Sequence, residues 1–291
     1  MKFLLTGARG MLGKDLARVI DEAGYTLRKT DRKELDITKR EETMAAIKEW
    51  RPDVIINAAA YNFVDKVEEE ALYPLAYAIN AEGPRHLAEA AREIGARFVH
   101  YSTDYVFAGD KPEGYCEDDL PAPISKYGET KAAGERFVQE MGGEYFLCRL
   151  SKIFGEPGLS EECKESFVAL MLRLAKEKPE LTVVNEEVGS PSYTVDIARA
   201  TLNMILEHQK SGIYHLVNEG PGVTWYEFAQ EIFSLAHVGT PFHPCTSAEF
   251  PKPAKRPKFA SLRNTKLPVL RDRREALREF LTRTTVRTNL S

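Results

Sequence analysis

The first thirteen residues place a short apolar run directly before three regularly spaced glycines. Residues 2–6 favour a buried strand, and Gly7, Gly10 and Gly13 follow in a G-x-x-G-x-x-G spacing. Apolar side chains then recur at helical spacing up to Gly24. A strand, a glycine turn and an amphipathic helix in this order predict a dinucleotide site, in which the turn and the helix N-terminus bind the pyrophosphate. A purely structural turn is the alternative.

The first half of the chain alternates strand-like and helix-like segments. Further strands are predicted at residues 25–30, 54–57, 97–101 and 145–150. Helical patterns occupy the connections, at residues 38–50, 84–94 and from 127 onward. Thr38 and Glu41 also predict a capping box. This alternation predicts an α/β fold of Rossmann type, with a doubly wound parallel sheet that binds ligands beyond the carboxyl ends of its strands.

The second half of the chain has a looser pattern. Helical patterns are present at residues 164–178, 195–208 and 225–237. Strand-like runs lie at residues 181–184 and 213–217. Thr224 and Glu227 predict another capping box. We interpret residues 1–150 as a dinucleotide-binding Rossmann domain and residues 151–291 mainly as a smaller substrate-binding lobe, with some segments returning to the main sheet.

The charge and the cysteines exclude several classes of protein. Lys and Arg number 40 against 44 Asp and Glu, a net charge of −4 that argues against a nucleic-acid partner. The four cysteines lack C-x-x-C spacing, which is typical of reduced thiols in a cytoplasmic protein and not of a disulfide framework or zinc site. No run approaches the roughly 18 apolar residues of a membrane span. We therefore expect a cytoplasmic protein without a nucleic-acid or membrane partner.

Charged residues after the second predicted strand and small residues after the third suit the remaining parts of a dinucleotide. Asp31 lies about 20 residues past the glycines, where a carboxylate binds the adenine ribose of NAD. Arg9 and Arg32 could instead accommodate the 2′-phosphate of NADP, so NADH and NADPH both stay open. Solvated surface charges are the alternative reading. Small residues after the third strand, which let a flat cofactor approach the backbone or simply pack tightly, are Ala58, Ala59 and Ala60.

A hydroxyl, a phenol and an amine complete the pattern. Thr103 follows the fourth strand, while Tyr127 and Lys131 are four residues apart, on one face of a predicted helix. An ammonium about 4 Å from a phenol stabilises the phenolate by roughly 4 kcal/mol at an effective dielectric near 20, which is about three pKa units. We therefore expect Lys131 to lower the pKa of Tyr127, so that the phenol exchanges a proton with a carbonyl that Thr103 polarises. An incidental surface pair is the alternative.

These motifs together resemble the extended short-chain dehydrogenases/reductases. The segments H-Y-S-T-D-Y-V-F-A-G, Y-G-E-T-K-A-A-G-E, R-P-D-V-I-I-N-A-A-A and A-K-R-P-K-F-A-S-L-R-N are similar to the dTDP-4-dehydrorhamnose reductase subfamily, over almost the whole chain. The resemblance implies reduction of the 4-keto group of a dTDP-linked 6-deoxy sugar by NADPH or NADH. It also implies that Tyr127 is the proton donor, that Lys131 positions it and the nicotinamide ribose, and that Thr103 and Asp104 contact the sugar.

The resemblance also implies which residues surround the cofactor. These are Gly10, Met11 and Leu12 at the pyrophosphate, Asp31, Asp36 and Ile37 at the adenosine, and Ala60, Tyr61, Asn62 and Tyr101 along the rest. Some members of the subfamily bind Mg²⁺ through glutamates at a dimer interface. No equivalent glutamates are recognisable here, so a metal has no support from the sequence, and a homodimer is an expectation only.

The chain departs from the subfamily at two places. Tyr61-Asn62 stands where the subfamily usually has His-Thr, which leaves details of the cofactor site open. Lys152 stands where it usually has tryptophan beside the sugar. We expect Lys152 to bind a sugar hydroxyl or to pair with a carboxylate such as Asp104, with a solvent-facing side chain as the alternative.

Two other functions are compatible with parts of the pattern. Nucleotide-sugar dehydratases or epimerases share the scaffold, but dehydratases need Thr-Asp-Glu, and the third residue here is Tyr105. A non-catalytic NADP-binding protein, such as the regulatory subunit of methionine adenosyltransferase, is similar in sequence. A pure binding protein has no need of Thr103, Tyr127 and Lys131 together, which disfavours this second alternative.

Overall fold

Strands and helices alternate along the chain in the computed structural model, which describes residues 1–160 and 163–288. In this part of the chain the strands are β1 (Lys2–Thr6), β2 (Thr26–Thr30), β3 (Val54–Asn57), β4 (Arg97–Thr103), β5 (Tyr145–Leu150), β6 (Ile153–Phe154), β7 (Leu181–Val184), β8 (Ser192–Tyr193), β9 (Gly212–His215), β10 (Asn218–Glu219), β11 (Phe242–Cys245) and β12 (Leu270–Asp272). The α-helices are α1 (Met11–Glu22), α2 (Arg40–Trp50), α3 (Tyr73–Tyr77), α4 (Gly83–Ile94), α5 (Lys126–Met141), α6 (Phe167–Glu177), α7 (Thr194–Leu206), α8 (Trp225–Ala236) and α9 (Arg273–Thr288). Among the described residues, no helix combines the length and the apolar composition needed to cross a membrane.

A six-stranded parallel sheet with the order β2-β1-β3-β4-β5-β9 forms the centre of the fold. The chain winds outward in both directions from β1, so the predicted doubly wound Rossmann-type sheet is confirmed. The strand order reverses between β1 and β3, where Thr6 lies opposite Asn57. A crevice forms at such a reversal, beyond the carboxyl ends of the strands. The residues that follow β1 and β3 therefore flank one crevice.

Both faces of the sheet are buried. Successive side chains of a strand point to opposite faces, so Phe3 and Leu5 pack on one face while Leu4 packs on the other. Helices α1 and α7 cover the first face and contact each other. Helices α2, α4 and α5 cover the second. The continuous apolar runs of the strands follow from this double coverage.

The second half of the chain contributes to two hydrophobic cores. Its helix α7 and strand β9 belong to the central layer, whereas α6, α8 and α9 surround a separate cluster centred on Phe154 and Phe228. Strands β7 and β11 pair beside this cluster. The predicted helices at 164–178, 195–208 and 225–237 are confirmed within a few residues. The short strands β6, β8, β10 and β12 carry no sequence pattern of their own.

One of the two predicted capping boxes is correct. At the start of α8, the Glu227 N–H donates to Thr224 Oγ1 over 3.1 Å and the Thr224 N–H donates to Glu227 Oε2 over 2.7 Å. The box predicted for Thr38 and Glu41 is wrong. The N–H and hydroxyl of Thr38 both donate to Asp36 Oδ1, over 3.0 and 2.7 Å, so Thr38 belongs to a turn and α2 begins two residues later.

A buried ion pair joins α5 to the central sheet. Arg149 on β5 donates from Nε and Nη2 to the two carboxylate oxygens of Glu135, over 3.0 and 2.8 Å, and each side chain is only 1% exposed. A further donor of Arg149 reaches the carbonyl of Glu117 over 3.2 Å. The guanidinium also lies 4.9 Å from the Phe107 ring centroid. These contacts compensate the desolvation of both charges and fix the position of α5 on β5.

Removing one member of this pair should strongly destabilise the fold. Arg149→Leu leaves the Glu135 carboxylate buried without its counter-ion, which typically costs 3–5 kcal/mol, that is roughly 4 kcal/mol of unfolding free energy here. The double variant Glu135→Leu/Arg149→Leu should recover most of that loss. Urea denaturation of both variants measures it. Equal losses in the single and double variants would contradict the ion-pair explanation.

Candidate active site

The carboxyl ends of β1, β3, β4 and β5 open onto a cavity of about 980 Å³. Its walls come from both halves of the chain. The sequence-predicted residues that line it are Gly7, Gly10, Met11, Leu12, Gly13, Asp31, Asp36, Ile37, Ala58, Ala59, Ala60, Tyr61, Asn62, Tyr101, Thr103, Asp104, Tyr127, Lys131 and Lys152. Arg9 lies outside this lining and pairs with Glu34 over 3.2 Å.

The glycine turn is packed too tightly for side chains. A Cβ on Gly7 would lie 2.5 Å from the Ala59 nitrogen, and one on Gly13 would lie 2.1 Å from the Gly7 carbonyl oxygen. Gly7 also has a φ of 68°, which favours glycine. Helix α1 begins directly after Gly10 without a side-chain cap and without an acidic residue in its first turn. Its free N–H groups and positive dipole end fit a pyrophosphate.

Charged residues of both signs line the cavity where β2 ends. The Asp31 carboxylate accepts a hydrogen bond from the Arg32 N–H over 2.9 Å. The Arg32 side chain is 69% exposed and lies 3.9 Å from the Asp36 carboxylate. The predicted carboxylate and the predicted arginine are therefore both present at this edge of the sheet, and their roles toward a cofactor stay predictions.

Lys131 is buried and held by the backbone of the neighbouring strand. Ser125 caps α5 by accepting the Gly128 N–H over 3.2 Å, and this helix carries both Tyr127 and Lys131. The Lys131 ammonium donates to the Tyr101 carbonyl over 2.6 Å. Burial lowers the pKa of Lys131 to about 8, although the Glu135 carboxylate opposes that shift.

The expected lowering of the Tyr127 pKa is wrong for this arrangement. Burial raises the pKa of the Tyr127 phenol above its usual value, the Asp104 carboxylate raises it further, and only a hydrogen bond to Thr103 opposes them. The desolvation cost of a buried phenolate is larger than the stabilisation that the Lys131 ammonium gives it, because this ammonium already donates a hydrogen bond to the Tyr101 carbonyl. Tyr127 is therefore a neutral phenol near pH 7, the form that can give a proton to a carbonyl oxygen.

Thr103 and Asp104 form a hydrogen-bonded chain with Ser151. The Thr103 hydroxyl donates to Asp104 Oδ1 over 2.9 Å, and the Ser151 hydroxyl donates to Asp104 Oδ2 over 2.6 Å. The backbone N–H of Ser190 donates to Ser151 Oγ over 3.0 Å. Burial raises the pKa of Asp104 despite these hydrogen bonds. The sequence analysis missed Ser151, although its hydroxyl directly follows β5 at the same sheet edge.

Asn80 is a second residue that the sequence analysis missed. It lies in a π-helical turn, Ala78–Glu82, between α3 and α4. Its side chain accepts the Tyr61 N–H over 2.8 Å and donates to the Tyr61 carbonyl and the Thr130 hydroxyl, each over 3.0 Å. Asn80 thereby ties the segment after β3 to α5. No local pattern in the sequence marks such a long-range contact.

Lys152 lines the cavity without pairing with Asp104, and its contact with a sugar hydroxyl stays a prediction. Its ammonium donates to the carbonyls of Glu187 and Val223, over 2.5 and 3.2 Å, and lies 4.0 Å from the ring centroid of Trp225. Asp104 acts on this ammonium through its charge alone, and its two carboxylate oxygens accept the hydroxyls of Thr103 and Ser151. Burial lowers the pKa of Lys152 to about 7, although Asp104 acts in the opposite direction.

The structure gives no support for a bound metal. Over residues 1–160 and 163–288, no group of three or more His, Cys, Asp or Glu side chains could hold an ion.

Comparisons with known proteins cover nearly the whole chain. A family model described as the RmlD substrate binding domain matches residues 1–286. The chain is 40% identical to a dTDP-4-dehydrorhamnose reductase of Aggregatibacter actinomycetemcomitans over 278 residues, which are 91% of this chain and 92% of the relative. It is 38% identical to a probable dTDP-4,6-dihydroxy-2-methyloxan-3-one 4-ketoreductase of Streptomyces antibioticus over 288 residues, which are 96% of this chain and 94% of that relative.

A solved structure is also similar. The crystal structure of a dTDP-4-dehydrorhamnose reductase from Bacillus anthracis in complex with NADP has a TM-score of 0.90 and is 39% identical in sequence. The match covers 97% of this chain and 99% of that one.

The charge of Lys131 should make dinucleotide binding depend on pH. Burial places the pKa of Lys131 at about 8. The dinucleotide affinity that depends on the positive charge of Lys131 should therefore fall as the pH rises through about 8. The Glu135 carboxylate raises this pKa, so Glu135→Gln, measured under conditions where circular dichroism shows the variant folded despite its broken pair with Arg149, should move the fall to lower pH. Glu140→Gln, exposed on the same helix, is the matched control. Titrations with NADPH between pH 6 and pH 10 test this, and coincident profiles for Glu135→Gln and the unchanged protein would contradict it.

Proposed function

The chain belongs to the RmlD substrate binding domain family, and on that premise we propose that it reduces the 4-keto group of a dTDP-linked 6-deoxy sugar. The reaction converts dTDP-4-dehydro-L-rhamnose to dTDP-L-rhamnose with NADPH or NADH. The observation that carries the proposal is the convergence of Thr103, Tyr127 and Lys131 on the cavity that begins at the glycine turn. The relatives named dTDP-4-dehydrorhamnose reductase support the substrate, and the relative bound to NADP supports the cofactor.

The side chains of this cavity supply the acid catalysis. When bound, the reduced nicotinamide supplies a hydride. The neutral Tyr127 phenol donates its proton to the keto oxygen, which Thr103 also contacts. The Lys131 ammonium, on the same helix, stabilises the phenolate that remains. Asp104 and Ser151 hold the Thr103 hydroxyl in place through their hydrogen bonds.

The environment of Tyr105 favours reduction over the dehydratase alternative. A dehydratase needs a carboxylate at this position, whereas the Tyr105 ring packs edge-on against Tyr127 with centroids 5.5 Å apart. Burial raises the pKa of Tyr105, so this side chain is neutral and is a poor general base near pH 7. The convergence of the three catalytic residues argues against a purely binding role. The homodimer and the cytoplasmic location stay predictions, and Mg²⁺ has no assigned role.

A steady-state assay tests the function directly. The purified protein is mixed with dTDP-4-dehydro-L-rhamnose and either NADPH or NADH, and oxidation of the cofactor is followed at 340 nm. We expect oxidation that requires the keto sugar. Absence of oxidation with this and other nucleotide-linked 4-keto sugars would overturn the proposal.

Tyr127→Phe should abolish reduction and spare cofactor binding. The variant lacks the proton donor but keeps the ring, and loss of a general acid typically lowers the rate by about 10²–10⁴-fold. Turnover and NADPH affinity are measured separately, with Tyr77→Phe as the control outside the cavity. A Tyr127→Phe rate within about threefold of the unchanged enzyme would reject Tyr127 as the acid.

Arg32 should favour NADPH over NADH. Its guanidinium is mostly exposed, with the Asp36 carboxylate 3.9 Å away, and a 2′-phosphate would be a closer and more highly charged partner. Arg32→Ala should therefore weaken NADPH binding by about tenfold and leave NADH binding nearly unchanged. Lys33→Ala removes one positive charge from the residue next to Arg32 and is the control. Equal weakening of both cofactors in Arg32→Ala would contradict a phosphate contact.

A further inference from the structure

The second half of the chain gives the cavity an aromatic wall that the mechanism does not use. Trp225 is the first residue of α8 and lines the cavity, half-buried. Its ring packs against Phe167 with centroids 4.5 Å apart. Its indole N–H donates to Glu187 Oε2 over 2.9 Å. Leu170 and Val188 also line the cavity. The indole therefore offers an apolar ring whose single donor is already satisfied by Glu187.

Lys152 extends from the central sheet to this wall. It follows Ser151 directly, and Ser151 donates to Asp104 beside the catalytic Thr103. The side chain of Lys152 therefore leads from a residue that is bonded to Asp104 to the ring of Trp225. A Cβ on Gly189 would lie 2.6 Å from Lys152 Cε, so a glycine there leaves room for the lysine stem. Lys152 itself has a φ of 43°, a left-handed conformation that a non-glycine residue keeps only when its surroundings hold it.

The ammonium of Lys152 forms hydrogen bonds and an aromatic contact with residues around Trp225. The carbonyls of Glu187 and Val223 accept its hydrogen bonds, and the face of Trp225 lies 4.0 Å away. A buried ammonium needs such partners, and an aromatic face is one of the favourable ones. These contacts fix the indole, whose own N–H is bonded to the side chain of the same Glu187. Lys152 therefore holds the indole of Trp225 in place at the cavity wall.

We propose that Trp225 forms the surface that recognises the methyl group of the 6-deoxy sugar, and that Lys152 is a positioning residue that holds Trp225 there. The proposal rests on the proposed function, because it takes a nucleotide-linked 6-deoxy sugar as the ligand. An apolar wall accepts a methyl group, whereas a hydroxymethyl group in the same place loses hydrogen bonds to water. Trp225 therefore selects sugars that lack the 6-hydroxyl.

A matched pair of product ligands tests this selection without turnover. dTDP-L-rhamnose and dTDP-L-mannose differ only in the 6-hydroxyl, and their affinities are measured by calorimetry in the presence of NADP⁺. The unchanged enzyme should prefer dTDP-L-rhamnose by about 10–100-fold, the range that an apolar pocket gives against one added hydroxyl. Trp225→Ala should reduce the preference to below about threefold. Trp225→Phe keeps a flat apolar ring and should retain most of it, which separates a lost wall from a failure to fold.

A double-variant cycle tests whether Lys152 acts through Trp225. Lys152→Met should reduce the same preference, and adding it to Trp225→Ala should change nothing further. Lys176→Met, an exposed lysine on α6, is the matched control for charge and size. If the double variant instead lost preference by the product of the two single-variant factors, Lys152 and Trp225 would act independently and the positioning role of Lys152 would be overturned. An unchanged preference in Trp225→Ala would overturn the role of the wall.

The emission of Trp225 gives a spectroscopic test of contact. The chain has two tryptophans, so Trp50→Phe leaves Trp225 as the reporter. dTDP-L-rhamnose should change its emission more than dTDP alone does. Equal responses would place the nucleotide, not the sugar, at Trp225 and reject the proposal. Failure of the proposed function is distinguishable, because it appears as an absence of keto-sugar-dependent NADPH oxidation in the unchanged enzyme.

Discussion

The buried ion pair between Arg149 and Glu135 is the constraint on which the active site depends. It fixes α5 on β5, and α5 carries both Tyr127 and Lys131. Glu135 stands one helical turn after Lys131, and its carboxylate opposes the fall in the Lys131 pKa that burial causes. A single interaction therefore sets the position of the catalytic helix and part of the electrostatics of its lysine. The hydrogen bond from Lys131 to the Tyr101 carbonyl is a second link between this helix and the sheet.

Desolvation, more than charge pairing, determines the protonation of the site. Burial raises the pKa of Tyr127 and Asp104 and lowers the pKa of Lys131 and Lys152, so each of these groups is shifted toward its neutral form. A neutral phenol suits a reductase, because the phenol must release a proton as the carbonyl oxygen gains negative charge. The ammonium then contributes most after that transfer, when a phenolate is present beside it.

The sequence predicted the central layer well because its signals are local. Short apolar runs identified β1, β3 and β5 to the residue. The rule that ligands bind at carboxyl strand ends led to Thr103, and the four-residue spacing to Lys131 led to Tyr127. The partners of the lysines could not be predicted in this way. The carbonyl that holds Lys131 and the ring beside Lys152 come from distant segments. Local signals can also compete, as at Thr38, where a turn at Asp36 replaces the expected helix cap.

In the proposed reaction, a hydride moves from the nicotinamide to C4 of a dTDP-linked sugar while Tyr127 protonates the oxygen. The most direct test is to run the reaction with NADPH deuterated at the transferring position of its nicotinamide ring and to examine the product by NMR. Deuterium should appear at C4 of the sugar, with one cofactor oxidised for each product formed. Deuterium at another carbon, or product formed without net oxidation of the cofactor, would contradict the claim and would indicate a dehydratase or an epimerase.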